Sequence, residues 1–113
     1  MRPRAMASAA ACALTLLLAA PAPASAAQGD FTYAYNDANT TRYGSLANPK
    51  SKTCITIPQV ADPNTTEPAF SPHNETDKSA SVYLNPNCTS TRSSLKAKSQ
   101  LASRVKFRSV KFA

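Results

Sequence analysis

Phe31-Thr32-Tyr33-Ala34-Tyr35 places an aromatic ring at every second position. Successive side chains of an extended chain point to opposite faces, so the three rings share one side of a pleat. This stretch predicts a strand with one buried face, and it sets the search for others. Thr53-Cys54-Ile55-Thr56-Ile57 repeats the period, with Ile55 and Ile57 on one face and Pro58 ending the run. Ser79 to Leu84 repeats it again through Ala80, Val82 and Leu84, and stops at the turn signal Asn85-Pro86-Asn87.

The run from Arg104 to Phe112 breaks the rule. Val105 and Phe107 keep one parity, whereas Val110 and Phe112 keep the other. Either a bulge at Arg108-Ser109 shifts the phase, or the strand is buried on both faces. Asn36 to Lys52 and Gln59 to Lys78 are rich in Asn, Asp, Thr, Ser and Pro and read as loops, the second carrying Pro63, Pro68 and Pro72. Ser93 to Ser103 reads as loop or short strand, with a helical turn as the alternative. Four or five short strands with such connections, and no internal repeat, predict a single all-β domain, a small antiparallel sandwich or Greek key.

The N-terminal residues point to export. Arg2 and Arg4, an apolar stretch around Ala11 to Ala20 and the exit Ala24-Ser25-Ala26 have the order of a secretory signal peptide. The expected division is a cleaved signal over 1–26, or to Ala27, and a β domain over 27–113 whose long loop covers 59–78. A membrane anchor needs roughly 20 apolar residues, and Pro21 and Pro23 end this run sooner. Cys12 leaves with the signal. Cys54 and Cys88 remain, and two cysteines in a small exported domain are expected to pair.

Charge is unevenly placed. The chain carries a formal net charge of +7, of which Arg2 and Arg4 belong to the signal. All six acids, Asp30, Asp37, Asp62, Glu67, Glu75 and Asp77, precede residue 78, and from Lys78 onward there are only bases. Lys96, Lys98, Arg104, Lys106, Arg108 and Lys111 are therefore the candidates for contact with an anionic polymer. The plainer reading is a strand edge protected by lysines.

Catalytic signatures are absent. Gly29 and Gly44 are the only glycines, which excludes a glycine-rich phosphate loop. One histidine, His73, with both remaining cysteines paired, leaves too few ligands for zinc. Glu67, Glu75 and Asp77 share one Pro-rich loop, a poor support for a fixed carboxylate pair. No cofactor and no enzyme are expected. Asn39, Asn64, Asn74 and Asn87 stand in Asn-x-Thr spacing, which in a glycosylating host would make them acceptors.

Phe31-x-Tyr33-x-Tyr35, Cys54, the run Asn74-Glu75-Thr76-Asp77 leading to Val82-Tyr83 and Cys88, and the closing Phe107 to Phe112 resemble small secreted proteins of actinobacteria, most without assigned activity. Ser109-Val110-Lys111-Phe112 also resembles the last strand of microbial βγ-crystallin-type domains, a fold shared by secreted protease inhibitors and antifungal proteins. That resemblance implies a Greek-key sandwich and a calcium loop of two Asn/Asp, two variable residues and Ser/Thr-Ser. Asn36, Asp37, Asn39 and Thr40 approximate it and could offer oxygen ligands. They follow the first strand, where the family would place the motif before the Ser109 strand. An Asn/Thr turn accounts for the same residues without metal.

Three functions compete. The first is a non-catalytic extracellular module whose basic C-terminal half binds an anionic wall polymer or another polyanion. The second is a secreted peptidase inhibitor presenting residues 59–72 to a protease. The third is a cationic antimicrobial protein, for which no strongly amphipathic helix is evident.

Overall fold

The computed structural model describes residues 25–113 of the chain. Eight strands form: β1 (Asp30–Asp37), β2 (Thr40–Ala47), β3 (Cys54–Thr56), β4 (Phe70–Asn74), β5 (Ala80–Asn85), β6 (Thr89–Leu95), β7 (Ser99–Gln100) and β8 (Ser109–Phe112). Short 3-10 turns over Pro58–Val60 and Pro86–Cys88 complete the elements. The strands make two four-stranded antiparallel sheets, ordered β2-β1-β4-β7 and β3-β8-β5-β6. The expected all-β sandwich with one disulfide is what forms.

The order repeats within the chain. In the first half β2, β1 and β4 lie side by side while β3 crosses to the other sheet beside β8. In the second half β6, β5 and β8 lie side by side while β7 crosses back beside β4. Each half is a Greek key that lends its third strand to the other.

Phe31 and Tyr33 turn inward from β1, as the alternation requires, and both are buried. Phe31 meets Phe112 edge-on at 5.5 Å between ring centroids and Phe107 at 5.9 Å, while Tyr33 meets Phe107 at 6.3 Å. Perpendicular pairs of this kind add about 0.5–1.5 kcal/mol each beyond area burial. Ile57, Val60, Ala69, Ala80, Val82, Leu95 and Val110 close the core around them.

The parity break near the C-terminus has a different cause from a simple bulge. Phe107 is bridged to Ala69, with backbone bonds in both directions, before the chain enters the second sheet at Ser109. The phase changes because the pairing partner changes. Phe107, Val110 and Phe112 are thereby all buried.

Two stretches read as loop contain strands, and the stretch over 93–103, read as loop or short strand, holds short strands. Thr40–Ala47 pairs along its whole length with β1, around a turn at Ala38 and Asn39 that both take positive φ. This eight-residue strand is mostly exposed at a sheet edge, so no apolar alternation marks it. Phe70–Asn74 is β4, which ends the long connection at residue 69. Its Pro72 is tolerated because the register against β1 slips between Thr32 and Ala34, with Ser71 at a φ of 51°. Thr89–Leu95 and Ser99–Gln100 are the Ser- and Thr-rich β6 and β7, extending into the stretch over 93–103.

Of the expected signal, residues 1–24 lie outside the described residues. Ala27 is wholly buried and its amide donates to Pro49 O at 2.8 Å, so of the two expected cleavage points the one after Ala26 keeps this core residue. Among the described residues, no helix is long and apolar enough to cross a membrane.

The Cys54–Cys88 bridge spans 34 positions with a Cα–Cα distance of 6.0 Å. Cys54 belongs to the lent strand β3, and Cys88 to the turn between β5 and β6, so the bridge fastens that strand to its host sheet. Ser109 Oγ helps set the turn, donating to Asn85 O at 2.6 Å and accepting from Cys88 N at 2.8 Å. Replacing both cysteines by serine should cost about 3–4 kcal/mol by the chain-entropy argument. Urea unfolding should show the loss, and hydrogen exchange should show Ile55 and Ile57 losing protection before β5. Unchanged protection in β3 would contradict the fastening role.

Candidate functional site

Opposed residues on antiparallel strands share a face, which fixes what the second sheet presents to solvent. Cys54, Lys111, Ser81 and Ser94 form one row, and Thr56, Ser109, Tyr83 and Arg92 the next, in which Ser109 is buried beneath the turn bearing Cys88. Lys111 projects outward because its neighbours Val110 and Phe112 are buried. Lys52 joins them from the segment before β3, held by its amide bond to Phe112 O at 2.8 Å. The result is a shallow groove of about 400 Å³ lined by Lys52, Ser79, Ser81, Tyr83, Arg92 and Lys111. Among the described residues, no acidic side chain lines it.

Of the six basic candidates, Lys111 alone lines this groove. Lys96 and Lys98 sit in the connection between β6 and β7, where Lys98 Nζ donates to Glu75 O at 2.8 Å. Arg104 and Lys106 are exposed on the approach to β8, with Lys106 Nζ 4.6 Å from the centre of the Phe70 ring. Arg108 is 6% exposed and is not a surface cation at all. Sequence parity could have flagged Lys111. Sequence misses Lys52, which lies in the turn before β3, and Arg92, because neither that turn nor β6 carries an apolar alternation to orient its residues.

Arg108 is instead a clamp. Its Nη1 donates to Val60 O and Thr66 Oγ1, both at 2.9 Å, and its Nη2 donates to Thr66 O at 2.7 Å. Among the described residues it makes no ion pair, so these neutral acceptors alone offset the cost of burying the guanidinium. The segment they hold is the one between β3 and β4. Within it Thr65 N and Thr66 N both donate to Asp62 O, and Asn64 N donates to Asp62 Oδ1 at 2.9 Å. The tip over 62–66 is thus a closed turn on a fixed base, neither extended nor loose.

The calcium candidates occupy the β1–β2 hairpin. Asp37 pairs with Arg42 at 3.1 Å, Asn36 Nδ2 donates to Glu67 Oε1 at 2.9 Å, and Asn36 Oδ1 accepts from Thr41 Oγ1 at 3.1 Å. Asn39 and Thr40 form the turn and its exit. Asn36 Oδ1 and Asp37 Oδ2 thus serve the hairpin, and among the described residues no group of three or more His, Cys, Asp or Glu is gathered for a metal. His73 lies half-buried on β4 and contacts Glu75. Asn74 is fully buried: its Nδ2 donates to Lys78 O and Lys96 O, and its Oδ1 accepts from Thr76 N and Thr76 Oγ1. Of the four Asn-x-Thr asparagines, it alone is out of reach of a glycan in the folded chain.

No protein-family model matches the chain, and neither a curated protein nor a solved structure matches it.

Two outcomes test these placements. Arg108→Met keeps the aliphatic stem but leaves Val60 O and Thr66 O unpaired, at a cost of about 2–4 kcal/mol. Limited proteolysis should then cut between residues 61 and 67 at least tenfold faster, and an unchanged rate would remove the clamp. Burial raises the Tyr33 phenol above its ordinary value of 10.0, and the neighbouring Tyr35 raises it by a smaller amount. The unfolded chain then releases this proton first, so the contribution is complete below about pH 10 and is lost as pH rises through the folded value. Unfolding midpoints should fall above pH 10, and Tyr33→Phe should flatten that fall.

Proposed function

We propose that the chain is an exported, non-catalytic binding module that takes an anionic extracellular polymer on the outer face of its second sheet. The observation that carries this reading is the convergence of Lys52, Arg92 and Lys111 on one groove without an acidic side chain among the described lining residues. Cations grouped this way raise the local concentration of a polyanion and release its counterions on contact. Tyr83 gives the groove an apolar surface beside the charges, and Ser79 and Ser81 supply hydroxyls for the oxygens of a phosphate or sulfate. A repeating phosphate polymer of a cell wall has this chemistry. The disulfide and the signal-like N-terminus accord with an oxidising exterior.

A second reading, a peptidase inhibitor, draws on the Arg108 clamp, since a loop held from below loses little entropy on binding. The closed turn over 62–66 argues against display in the extended form that a protease cleft pairs with.

Retention on heparin and on polyphosphate across a salt series tests the first reading. Lys52→Gln, Arg92→Gln and Lys111→Gln combined should weaken binding about a hundredfold near 0.1 M salt, at roughly 1 kcal/mol per cation. Lys96→Gln, Lys98→Gln and Arg104→Gln combined remove the same charge elsewhere and should cost far less. Equal losses in the two triple variants, or retention insensitive to salt, would overturn the assignment.

A further inference from the structure

A larger cavity lies elsewhere and has the opposite chemistry. About 690 Å³ in volume, it lies between the end of the β1–β2 hairpin and the segment over 59–67. Tyr35, Asn36, Asp37, Gln59, Thr65 and Glu67 are the side chains that matter. The volume falls within the range of small-molecule clefts, roughly 300–1,000 Å³. We infer that this cleft is a saccharide subsite, accepting a neutral or amine-bearing pyranose and rejecting a uronic acid.

Four features carry the inference. Tyr35 offers a half-buried ring, steadied by Tyr33 at 6.3 Å, on which the C–H face of a pyranose can rest. Around it stand groups suited to hydroxyls: a carboxylate accepts from two of them, and a side-chain amide both donates and accepts. These groups are already oriented. Tyr33 OH donates to Gln59 Oε1 at 2.8 Å, which leaves the Gln59 N–H groups free to turn toward a ligand. Asn36 Nδ2 holds one oxygen of Glu67 and leaves the other, and Arg42 holds Oδ2 of Asp37 and leaves Oδ1. Finally, the clamp of Arg108 on Val60 O and Thr66 fixes the far wall, so little ordering remains to be done on binding.

Charge decides among sugars. Arg42 offsets the charge of Asp37, but Glu67 faces the cleft with only the Asn36 amide on it and no ion pair among the described residues, so a glycuronate is repelled and a protonated amino sugar is favoured. The Glu67 carboxylate likewise disfavours phosphate, which separates this cleft from the groove of the second sheet.

Nitrogen-15 NMR titration of the folded domain with cellotriose, glucosamine trimer and trigalacturonate tests the inference. Cellotriose and the glucosamine trimer should shift the Gln59 side-chain amide and the backbone of Asn36 to Asn39, with dissociation constants in the millimolar range and the amine form tighter. Trigalacturonate should leave these signals in place. Tyr35→Ala should weaken binding at least tenfold. Gln59→Ala, at an exposed position, should weaken it several-fold in a domain that keeps its spectrum, and Glu67→Gln should erase the preference for the amine. Absent shifts up to tens of millimolar, or equal shifts with trigalacturonate, would overturn the inference. Both results are independent of heparin retention.

Discussion

Phe31 sits where the two sheets touch, and its ring is met edge-on by Phe107 and Phe112 from the C-terminal run. A domain this small buries little apolar area, so a few large rings must supply what a bigger core spreads over many side chains. The contact also sets position. Because Phe107 and Phe112 both seek Phe31, the backbone between them has to change its pairing partner. Arg108, caught at that change, is carried inward with its charge. The clamp on the segment over 59–67 is thus a by-product of aromatic packing, and both the ordered loop and the cleft beside it follow from it.

Buried polar side chains do much of the remaining fastening. Asn74 joins the exit of β4 to the exit of β6 through Lys78 O and Lys96 O, and Thr76 occupies its carbonyl oxygen. Ser109 ties β8 to the turn bearing Cys88. Each is fully buried and each is satisfied, which is the condition under which buried polar groups specify a structure rather than weaken it. Together with the disulfide they hold connections that have few apolar contacts of their own.

The inward half of this fold was legible because burial writes itself as alternation. Phe31 and Tyr33, Ile55 and Ile57, Ala80 and Val82 could be assigned from period alone. Of the strands that could not be read, β2 and β6 lie at sheet edges, where Thr and Ser residues carry no signal that separates an edge strand from a loop, while β4 is an interior strand hidden by Pro72 and a slipped register. The same gap hid the basic groove: three cations drawn from separate segments meet only through cross-strand register. Arg108 shows the opposite failure. Counted as one more base in a basic run, it is an interior residue whose partners lie 42 and 48 positions away.

The exchange of β3 and β7 between the two halves has a consequence for how such a chain lives and fails. Neither half owns a complete sheet, so neither can survive as a fragment, and a nick or deletion in one removes a neighbour from the other. Assembly must bring distant segments together before either sheet is whole, which makes folding slow in the manner of non-local β topologies. In return the finished sandwich has no loosely held half from which unravelling can begin. Resistance to local opening then comes from the weave of the chain, with the covalent knot at Cys54 and Cys88 to keep the weave closed.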